Sequence, residues 1–334
     1  MSLTLNLEPI VSAEIEKALD KLGLEEKIET LIGEATNKAS KIVKVQLPDG
    51  TEKNAGIQHK QFENILKLIN MGENLMIKGE AGNGKSHVVA EVAKALNLPF
   101  HSMSVSNQTT KTDLLGFVDA NGIYRHNGFI SAFKDGGIFL MDEIDAGNAN
   151  VLVVLNSALS NGFVEAPNGE MIYAHKDFRF VSTANTVGRG ANQKYVGRNK
   201  LDSATLDRFA VIDFGLDEDI ELMLCGNDKS FHNAIKEMRK IVINNYSDEV
   251  QISQRSSTRL KKLLTNDFDV DEALEIAIFK GLDEDICNDL KKVFKKHYKK
   301  PEKDKQESEE PKPETSSAEV ITESKFNIDD FDWE

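Results

Sequence analysis

The sequence predicts an α/β fold, in which a parallel sheet with flanking helices is followed by a small all-helical domain. Between residues 57 and 214, five apolar strand-like runs alternate with helical patterns, as in βαβ units. A glycine-rich loop joins the first of these runs to a helix. From residue 216 to 300 the pattern is helical throughout. We therefore expect four regions: an N-terminal helical region with a short strand (1–56), an α/β domain (57–215), a helical domain (216–300) and a tail (301–334).

Each element has its own signal. Apolar residues recur at helical spacing between residues 10 and 41, and a short strand, KIVKVQL, follows and ends at a PDG turn. The five runs expected to form the sheet are NLMIKG, FHSMSV, GIFLMDE, FRFVSTAN and FAVIDF. Two β-hairpins are expected between these runs. One turns at Asn121-Gly122, a pair typical of a type I′ turn, and the other turns around Asn168-Gly169.

The negative charge is concentrated at one end of the chain. The 334 residues include 41 Lys and Arg and 55 Asp and Glu, for a net charge of -14, but 12 of the acids and only 4 of the bases lie in residues 301–334. The tail is rich in Pro, Glu, Ser and Lys, which predicts disorder, yet it ends in FNIDDFDWE with the single tryptophan, Trp333. An acidic, aromatic end on a tether is typical of a docking motif, while an aid to solubility is the alternative.

Composition also excludes several classes of protein. No apolar run approaches the ~18 residues of a membrane-spanning helix, and the N-terminus lacks a secretory pattern. The two cysteines, Cys225 and Cys287, have no metal-ligand spacing, so a reducing cytoplasm is expected. The acidity argues against nucleic-acid binding through overall charge.

The glycine-rich loop predicts a nucleotide site. Residues 79–86, GEAGNGKS, fit the pattern G-x-x-x-x-G-K-[ST], follow an apolar strand and open the helix KSHVVAEVAKAL. Glycines allow backbone N–H groups to converge on phosphate oxygens at a helix N-terminus. Lys85 is then expected to reach the β- and γ-phosphates, and the Ser86 hydroxyl to coordinate Mg²⁺.

Polar residues end two later strands. Asp142 and Glu143 follow the apolar run 137–141, so they are expected at the carboxyl edge of the sheet, where α/β proteins bind ligands. Asp142 is suited to hold Mg²⁺, and Glu143 to polarise the attacking water. Asn185 ends the run FVSTAN; if that strand pairs beside the Asp142 strand, its amide lies between water and γ-phosphate. The adjacent acids favour hydrolysis over transfer to an acceptor.

Together, GEAGNGKS, IFLMDEID, STANT and LDRF resemble the motif set of AAA+ ATPases, and more closely the MoxR/dynein-related branch with its CobS and CbbQ/NorQ types. The resemblance covers about residues 57–270. It implies a P-loop NTPase sheet with a helical lid, assembled into rings, usually hexamers, with ATP and Mg²⁺ at subunit interfaces. It also implies that insertions at the two hairpins line the pore and touch a remodelled partner; plain connecting hairpins are the alternative.

The resemblance assigns roles to individual residues. Lys85 and Ser86 correspond to Walker A, Asp142 and Glu143 to Walker B, and Asn185 to sensor 1. Arg208, in LDRF, is expected to be the arginine finger that enters the neighbouring subunit's site, with Arg198 as its rival. The catalytic set is thus Lys85, Glu143, Asn185 and Arg208, the Mg²⁺ ligands are Ser86 and Asp142, and the nucleotide contacts are Gly79, Glu80, Ala81, Gly82, Asn83, Gly84, Lys85, Ser86, His87 and Arg259.

Several assignments stay open. Arg259 is the first choice for sensor 2, and Arg255 is the alternative; His59 could approach the adenine, although a structural role is favoured. GTP is not excluded as the nucleotide.

We expect an ATPase that forms a homo-oligomeric ring and remodels a protein partner, for example one with a von Willebrand A-type domain. A nucleic-acid-directed motor is the alternative, because Lys291–Lys300 is basic with interleaved aromatics. A third possibility is an ATP-gated scaffold whose output is the grip of the tail on a partner.

Overall fold

A five-stranded parallel sheet forms the centre of the α/β region. The computed structural model describes residues 42–46, 52–186, 190, 197–246 and 250–299. The first two strands, β1 (Ile42–Gln46) and β2 (Glu52–Ile57), form a separate antiparallel pair. Residues 10–41, expected to be helical, and the tail 301–334 lie outside the described residues.

The sheet itself comprises β3 (Leu75–Lys78), β4 (Phe100–Ser104), β7 (Gly137–Asp142), β10 (Phe178–Ala184) and β11 (Ala210–Asp213). Their order across the sheet is β11-β3-β10-β7-β4, and every neighbouring pair is parallel. This confirms the five predicted strands. Because β10 lies between β3 and β7, the strand ends that carry the glycine-rich loop, the acids and Asn185 meet at one edge.

Both faces of the sheet are covered by helices. Along β7, Ile138 and Leu140 pack into one hydrophobic core and Phe139 and Met141 into the other, as the two-residue period of a strand requires. The first core includes residues of α1 (Phe62–Met71) and α2 (Lys85–Leu96). The second includes residues of α4 (Gly128–Asp135) and α5 (Ala149–Asn161). A strand buried on both faces explains the continuous apolar runs in the sequence.

Two hairpins project between the sheet strands. The first pairs β5 (Phe117–Val118) with β6 (Tyr124–Arg125), after the short helix α3 (Lys111–Leu115). The second pairs β8 (Phe163–Glu165) with β9 (Met171–Tyr173). Both predicted hairpins are confirmed. Exposed apolar side chains occur on both of them: Phe117, Val118, Ile123, Phe163, Met171 and Tyr173.

The expected type I′ turn in the first hairpin is wrong. A type I′ turn needs positive φ at both central residues, whereas Gly122 has φ of 75° and Asn121 is not among the residues with positive φ. The Gly122 N–H instead donates to the Asp119 carbonyl at 2.9 Å. The Asp119 side chain accepts from the N–H groups of Asn121 and Ile123, both at 2.9 Å. These bonds favour a type I turn that begins at Asp119 and places Gly122 in the left-handed region.

The described residues after β11 are mainly helical. After the short helix α6 (Ser203–Leu206) and β11, they contain α7 (Glu218–Leu224), α8 (Lys229–Asn245), α9 (Gln254–Thr265), α10 (Val270–Leu274), a π-helical turn (Glu275–Phe279) and α11 (Glu284–His297). Helices α8 to α11 and the π-helical turn share a hydrophobic core of their own, which includes Cys225 and Tyr298. Burial raises the pKa of the Cys225 thiol to about 12, so this cysteine acts as a core residue. The four-region division of the chain remains a prediction.

Candidate nucleotide site

The glycine-rich loop ends where α2 begins, and its lysine is almost fully enclosed. Lys85 is 7% exposed, and its ammonium donates to the carbonyls of Gly79 at 2.7 Å and Glu80 at 3.0 Å, and to Asn185 Oδ1 at 2.9 Å. Burial lowers the pKa of Lys85, and the carboxylates of Asp142, Asp145 and Glu143 act in the opposite direction. An ammonium in such a place is suited to bind a polyanion, whose charge restores the stability of the protonated form.

Glycine is required at position 79 because the loop lies very close to the backbone at the end of β11. A Cβ on Gly79 would lie 2.1 Å from the Phe214 carbonyl oxygen, at the point where β11 leads into the helical region. The Phe214 N–H donates to the Lys78 carbonyl at 2.6 Å, and the Gly79 N–H donates to the Ala184 carbonyl at 3.1 Å. The loop is therefore attached to the strands on both sides of it.

We expect Gly79→Ala to lower the melting temperature by about 5 °C or more, because the added methyl group must displace backbone atoms. Gly215→Ala is the matched control. A Cβ at Gly215 would have nothing within 4 Å, and its φ is not in the positive region, so its melting temperature should stay within about 2 °C of wild type. Thermal unfolding followed by circular dichroism measures both. Equal effects of the two substitutions would contradict the close approach.

The two acids at the end of β7 take different positions. Ser86 Oγ donates to Asp142 Oδ2 at 3.0 Å, and the Thr183 hydroxyl donates to Asp142 Oδ1. The same hydroxyl accepts from the Glu143 N–H at 3.0 Å. Glu143 has φ of 60°, in the left-handed region, and its side chain is 44% exposed. Asp142 thus points at the start of α2, whereas Glu143 points into the open part of the site.

Asn185 connects the lysine to Glu143. Its Oδ1 accepts from Lys85, and its Nδ2 lies 3.5 Å from Glu143 Oε1. The parallel pairing of β10 with β7, with Ser182 opposite Met141, produces this proximity. The structure therefore brings together Lys85, Ser86, Asp142, Glu143 and Asn185, as the sequence predicts.

The structure adds three residues to this site. They are Thr183, which joins the two acids, Asp145, which is 0% exposed, and Arg198, which lies against Glu143 and Asp145. The sequence predicts no role for Thr183 or Asp145, and for Arg198 only that of a rival arginine finger. Its side chain is 13% exposed and pairs within its own chain, so it is a residue of its own subunit's site in this structure.

Arg208 lies elsewhere. Its Nε donates to Ser160 Oγ at 2.8 Å on α5, and its guanidinium also donates to the Ala204 carbonyl. The residue is half-buried, and both of these hydrogen bonds are exposed to solvent.

The helical region touches the glycine-rich loop at the start of α9. A Cβ on Gly82 would lie 2.8 Å from Ser253 Oγ and 3.3 Å from the Arg255 Cβ, and Gln251 Nε2 donates to the Ala81 carbonyl at 3.3 Å. Ser253 caps α9, accepting from the Ser256 N–H at 3.2 Å. Arg255 therefore begins beside the loop, whereas Arg259 lies one helical turn further on. This contact favours Arg255, the alternative.

A buried ion pair holds this end of α9 in place. Glu221 is 0% exposed and accepts from Arg239 at 2.6 and 2.5 Å, and the Ser257 hydroxyl also donates to it. Burial acts to raise the pKa of the Glu221 carboxyl, but the hydrogen bonds and charge of Arg239 lower it. Arg239 Nε also donates to the Ile252 carbonyl at 2.9 Å, just before the cap of α9. The pair thus connects α7 and α8 to the segment that contacts Gly82.

His59 has a structural role, as favoured above. Its ring stacks on Phe214, with centroids 3.7 Å apart, and its Nε2 lies 3.0 Å from the Gly215 carbonyl. Its Nδ1 accepts from the Gln61 N–H at 3.1 Å, so the ring is neutral with the proton on Nε2. Burial lowers the pKa of His59, in keeping with the neutral form.

Three of the six lysines in the basic stretch that begins in α11 lie near acids of the same helical region. Lys291 lies 3.8 Å from Glu275, Lys292 lies 3.7 Å from Asp289, and Lys295 lies 2.7 Å from Asp271. Paired lysines contribute less to phosphate binding, because each must first leave its own carboxylate. This pairing weighs against a nucleic-acid interface at Lys291–Lys300.

Comparison with known proteins agrees with this site. Residues 74–209 match the family model described as the AAA domain (dynein-related subfamily). That segment includes the glycine-rich loop, both acids, Asn185, Arg198 and Arg208. The observed parallel sheet with flanking helices, followed by a helical region, is the α/β fold that the sequence predicts.

Two relatives by sequence are uncharacterized proteins of staphylococci. An uncharacterized protein of Staphylococcus epidermidis is 28% identical over 162 residues, which are 46% of this chain and 59% of that protein. One from Staphylococcus aureus is 28% identical over 192 residues, 52% of this chain and 70% of that protein. Among solved structures, a RuvB variant of Thermotoga maritima has a TM-score of 0.44 at 17% identity, over 67% of this chain and 71% of that one. NtrX from Brucella abortus has a TM-score of 0.42 at 13% identity, over 90% and 61%.

Two features are absent from the described part of the chain. Within it, no helix is long and apolar enough to cross a membrane. Nor do the described residues contain a group of three or more His, Cys, Asp or Glu arranged to hold a metal ion.

Proposed function

We propose that this chain is a ring-forming AAA+ ATPase of the MoxR/CobS-like type, which hydrolyses ATP to ADP and phosphate to remodel or activate a protein partner. The observation that supports this most directly is the continuous contact from Lys85 through Asn185 to Glu143, beside the Ser86–Asp142 pair. It combines a cation for phosphate, a polar group for water and a candidate general base in one place. That set is suited to phosphoanhydride hydrolysis.

The roles follow from the positions of the side chains. The loop N–H groups and Lys85 would bind the β- and γ-phosphates. Ser86 and Asp142, whose oxygens converge at 3.0 Å, suit a hard cation such as Mg²⁺. When bound, Mg²⁺ would neutralise charge on the phosphate oxygens. Glu143, aided by Asn185, would take a proton from the attacking water, and Arg255 would approach the phosphates from the helical region.

Completion of the site requires a second copy. Arg208 is half-buried and makes a solvent-exposed bond to Ser160 in its own chain, and it would act on the nucleotide of the neighbouring subunit in a ring, usually a hexamer. The exposed apolar residues of the two hairpins are candidates for contact with the remodelled partner, for example a protein with a von Willebrand A-type domain. The assignment of the partner rests on the resemblance of the motifs.

Lys85→Ala tests nucleotide binding directly. We expect it to weaken ATP binding by about a hundredfold or more, because it removes a buried cation aimed at the phosphates. Lys94→Ala is the matched control, since Lys94 is on the same helix and its side chain is 74% exposed; ATP binding should then stay within twofold of wild type. Calorimetric titration with ATP and Mg²⁺ measures both. Wild-type protein that neither binds nor hydrolyses ATP would refute the proposed function.

A further inference from the structure

Arg198 holds the candidate general base within its own subunit. Its Nη2 lies 3.1 Å from Glu143 Oε2, and its Nη1 lies 3.3 Å from Asp145 Oδ1. The Arg198 guanidinium thus bridges two carboxylates, those of Glu143 and Asp145. The two carboxylates differ in burial, because the Glu143 side chain is 44% exposed whereas that of Asp145 is 0% exposed.

Asp145 is the fixed partner of this arginine. Its Oδ2 accepts from the N–H groups of Asn185 at 3.2 Å and Thr186 at 3.0 Å, and from the Thr186 hydroxyl at 2.9 Å. Its backbone carbonyl accepts from the Asn199 N–H at 2.7 Å, which ties down the residue after Arg198. A buried carboxylate with these bonds does not release its cation readily. The contact with the exposed Glu143 is therefore the one that can be exchanged.

The neighbouring side chains indicate which group replaces Glu143 as a partner of Arg198. A series of side-chain contacts runs from Lys85 to Asn185, then to Glu143 and Arg198. The arginine is therefore at the far end of a series that begins at the lysine proposed to bind phosphate. Two of its members, Lys85 and Arg198, are cations. A γ-phosphate drawn to Lys85 would compete with Glu143 for the guanidinium, and phosphate oxygens are strong acceptors for arginine.

We propose that Arg198 is a γ-phosphate sensor that acts in its own subunit. Without nucleotide it pairs with Glu143 and keeps that carboxylate engaged; with ATP it keeps its bond to Asp145, moves to the γ-phosphate and frees Glu143 to meet water. ADP lacks the γ-phosphate, so it leaves the pair intact. This inference rests on the proposed function and adds to it a residue that distinguishes ATP from ADP.

A double-mutant cycle tests the exchange. Affinities are measured by calorimetry for ADP and for the non-hydrolysable ATP analogue adenylyl imidodiphosphate, in wild type, Arg198→Ala, Glu143→Gln and the double variant. We expect Arg198→Ala to weaken binding of the analogue about tenfold and that of ADP less than about twofold, from the loss of one charged hydrogen-bond pair. Glu143→Gln should strengthen analogue binding about threefold, since the arginine no longer has to leave a carboxylate. That gain should disappear in the double variant.

Two further variants keep the test decisive. Loss of Arg198 leaves buried Asp145 without its cation and could unfold this region, so Arg198→Lys is included. Lysine keeps a positive charge near Asp145 but has no fork to reach a second acceptor, so it should retain the melting temperature and still lose the discrimination. Arg125→Ala is the matched control, because Arg125 pairs with Asp119 at 3.0 Å on an exposed hairpin; neither affinity should change.

The experiment distinguishes failure of the proposed function from failure of the sensor role of Arg198. Wild-type protein that binds neither nucleotide would overturn the proposed function and this inference with it. If both nucleotides bind, but Arg198→Ala and Arg198→Lys weaken ADP and the analogue equally, only the sensor is overturned. An additive cycle, in which Glu143→Gln gives the same gain with and without Arg198, would also overturn it.

Discussion

Glu143→Gln is expected to lower the rate of ATP hydrolysis by at least about a hundredfold while ATP still binds. Glutamine has the shape of glutamate but cannot take a proton from water, and a positioned general base contributes about 10²–10⁴ in rate. The phosphate contacts assigned to Lys85 and Ser86 are untouched by the substitution. Phosphate release under saturating ATP measures the rate, and calorimetry with ATP and Mg²⁺ measures binding.

The control for this prediction is a glutamate with no part in the site. Glu63 lies on α1 with its side chain 66% exposed, so Glu63→Gln should hydrolyse ATP at the wild-type rate. Hydrolysis by Glu143→Gln within threefold of wild type would show that another group activates the water. Loss of ATP binding together with hydrolysis would show that Glu143 acts on the nucleotide itself.

Arg208→Ala is expected to reduce turnover by about a thousandfold in the assembled protein and to leave nucleotide affinity of the isolated subunit unchanged. An arginine supplied by a neighbouring subunit stabilises charge that develops on the transferred phosphoryl group and contributes about 10³–10⁵ in rate. Within its own chain Arg208 bonds to Ser160 and Ala204, neither of which holds nucleotide in the proposed site. The rate at concentrations above and below assembly, followed by light scattering, checks both parts.

Mixing the two inactive variants tests whether Arg208 acts between subunits. A site formed by an Arg208→Ala subunit still has Glu143, and a Glu143→Gln neighbour would supply the intact Arg208. Equimolar mixtures should therefore recover a measurable part of the wild-type rate, while each variant alone stays inactive. A mixture with no more activity than its components would contradict action across the interface. Arg125→Ala, on the exposed hairpin, serves as the control that should retain the full rate.

Much of the fold could be predicted because its signals are local. A strand buried on both faces must be apolar along its length, so β3, β7 and β10 were visible as runs in the sequence. Helix α2 begins at Lys85 and ends at Leu96, the limits of the predicted helix. The type predicted for the turn at Asn121-Gly122 was wrong because the side chain of Asp119, two residues earlier, determines the turn type. The Asp119 carboxylate bonds to two backbone N–H groups, and that favours type I over type I′.

The arginines could not be placed from the sequence, because their roles depend on distances between distant segments. Arg198 and Glu143 are 55 positions apart in the chain, yet their side chains meet at 3.1 Å. Arg255 reaches Gly82 because the ion pair of Glu221 with Arg239 holds the start of α9 against the loop. Such contacts follow from strand order and helix packing, which leave no periodic signal.

The sequence by itself determined the parallel sheet and the helical region after it, and it predicted the residues of a phosphate site, since glycines, a lysine and strand-end acids at these spacings are typical of such sites. Only the tertiary structure decided which groups surround them. It placed Thr183 between the two acids, buried Asp145 behind Arg198, and bonded Arg208 to Ser160 on α5. The physical reason is that a motif specifies local backbone geometry and chemistry, whereas the pairing of charges across the site depends on how separate strands and helices pack.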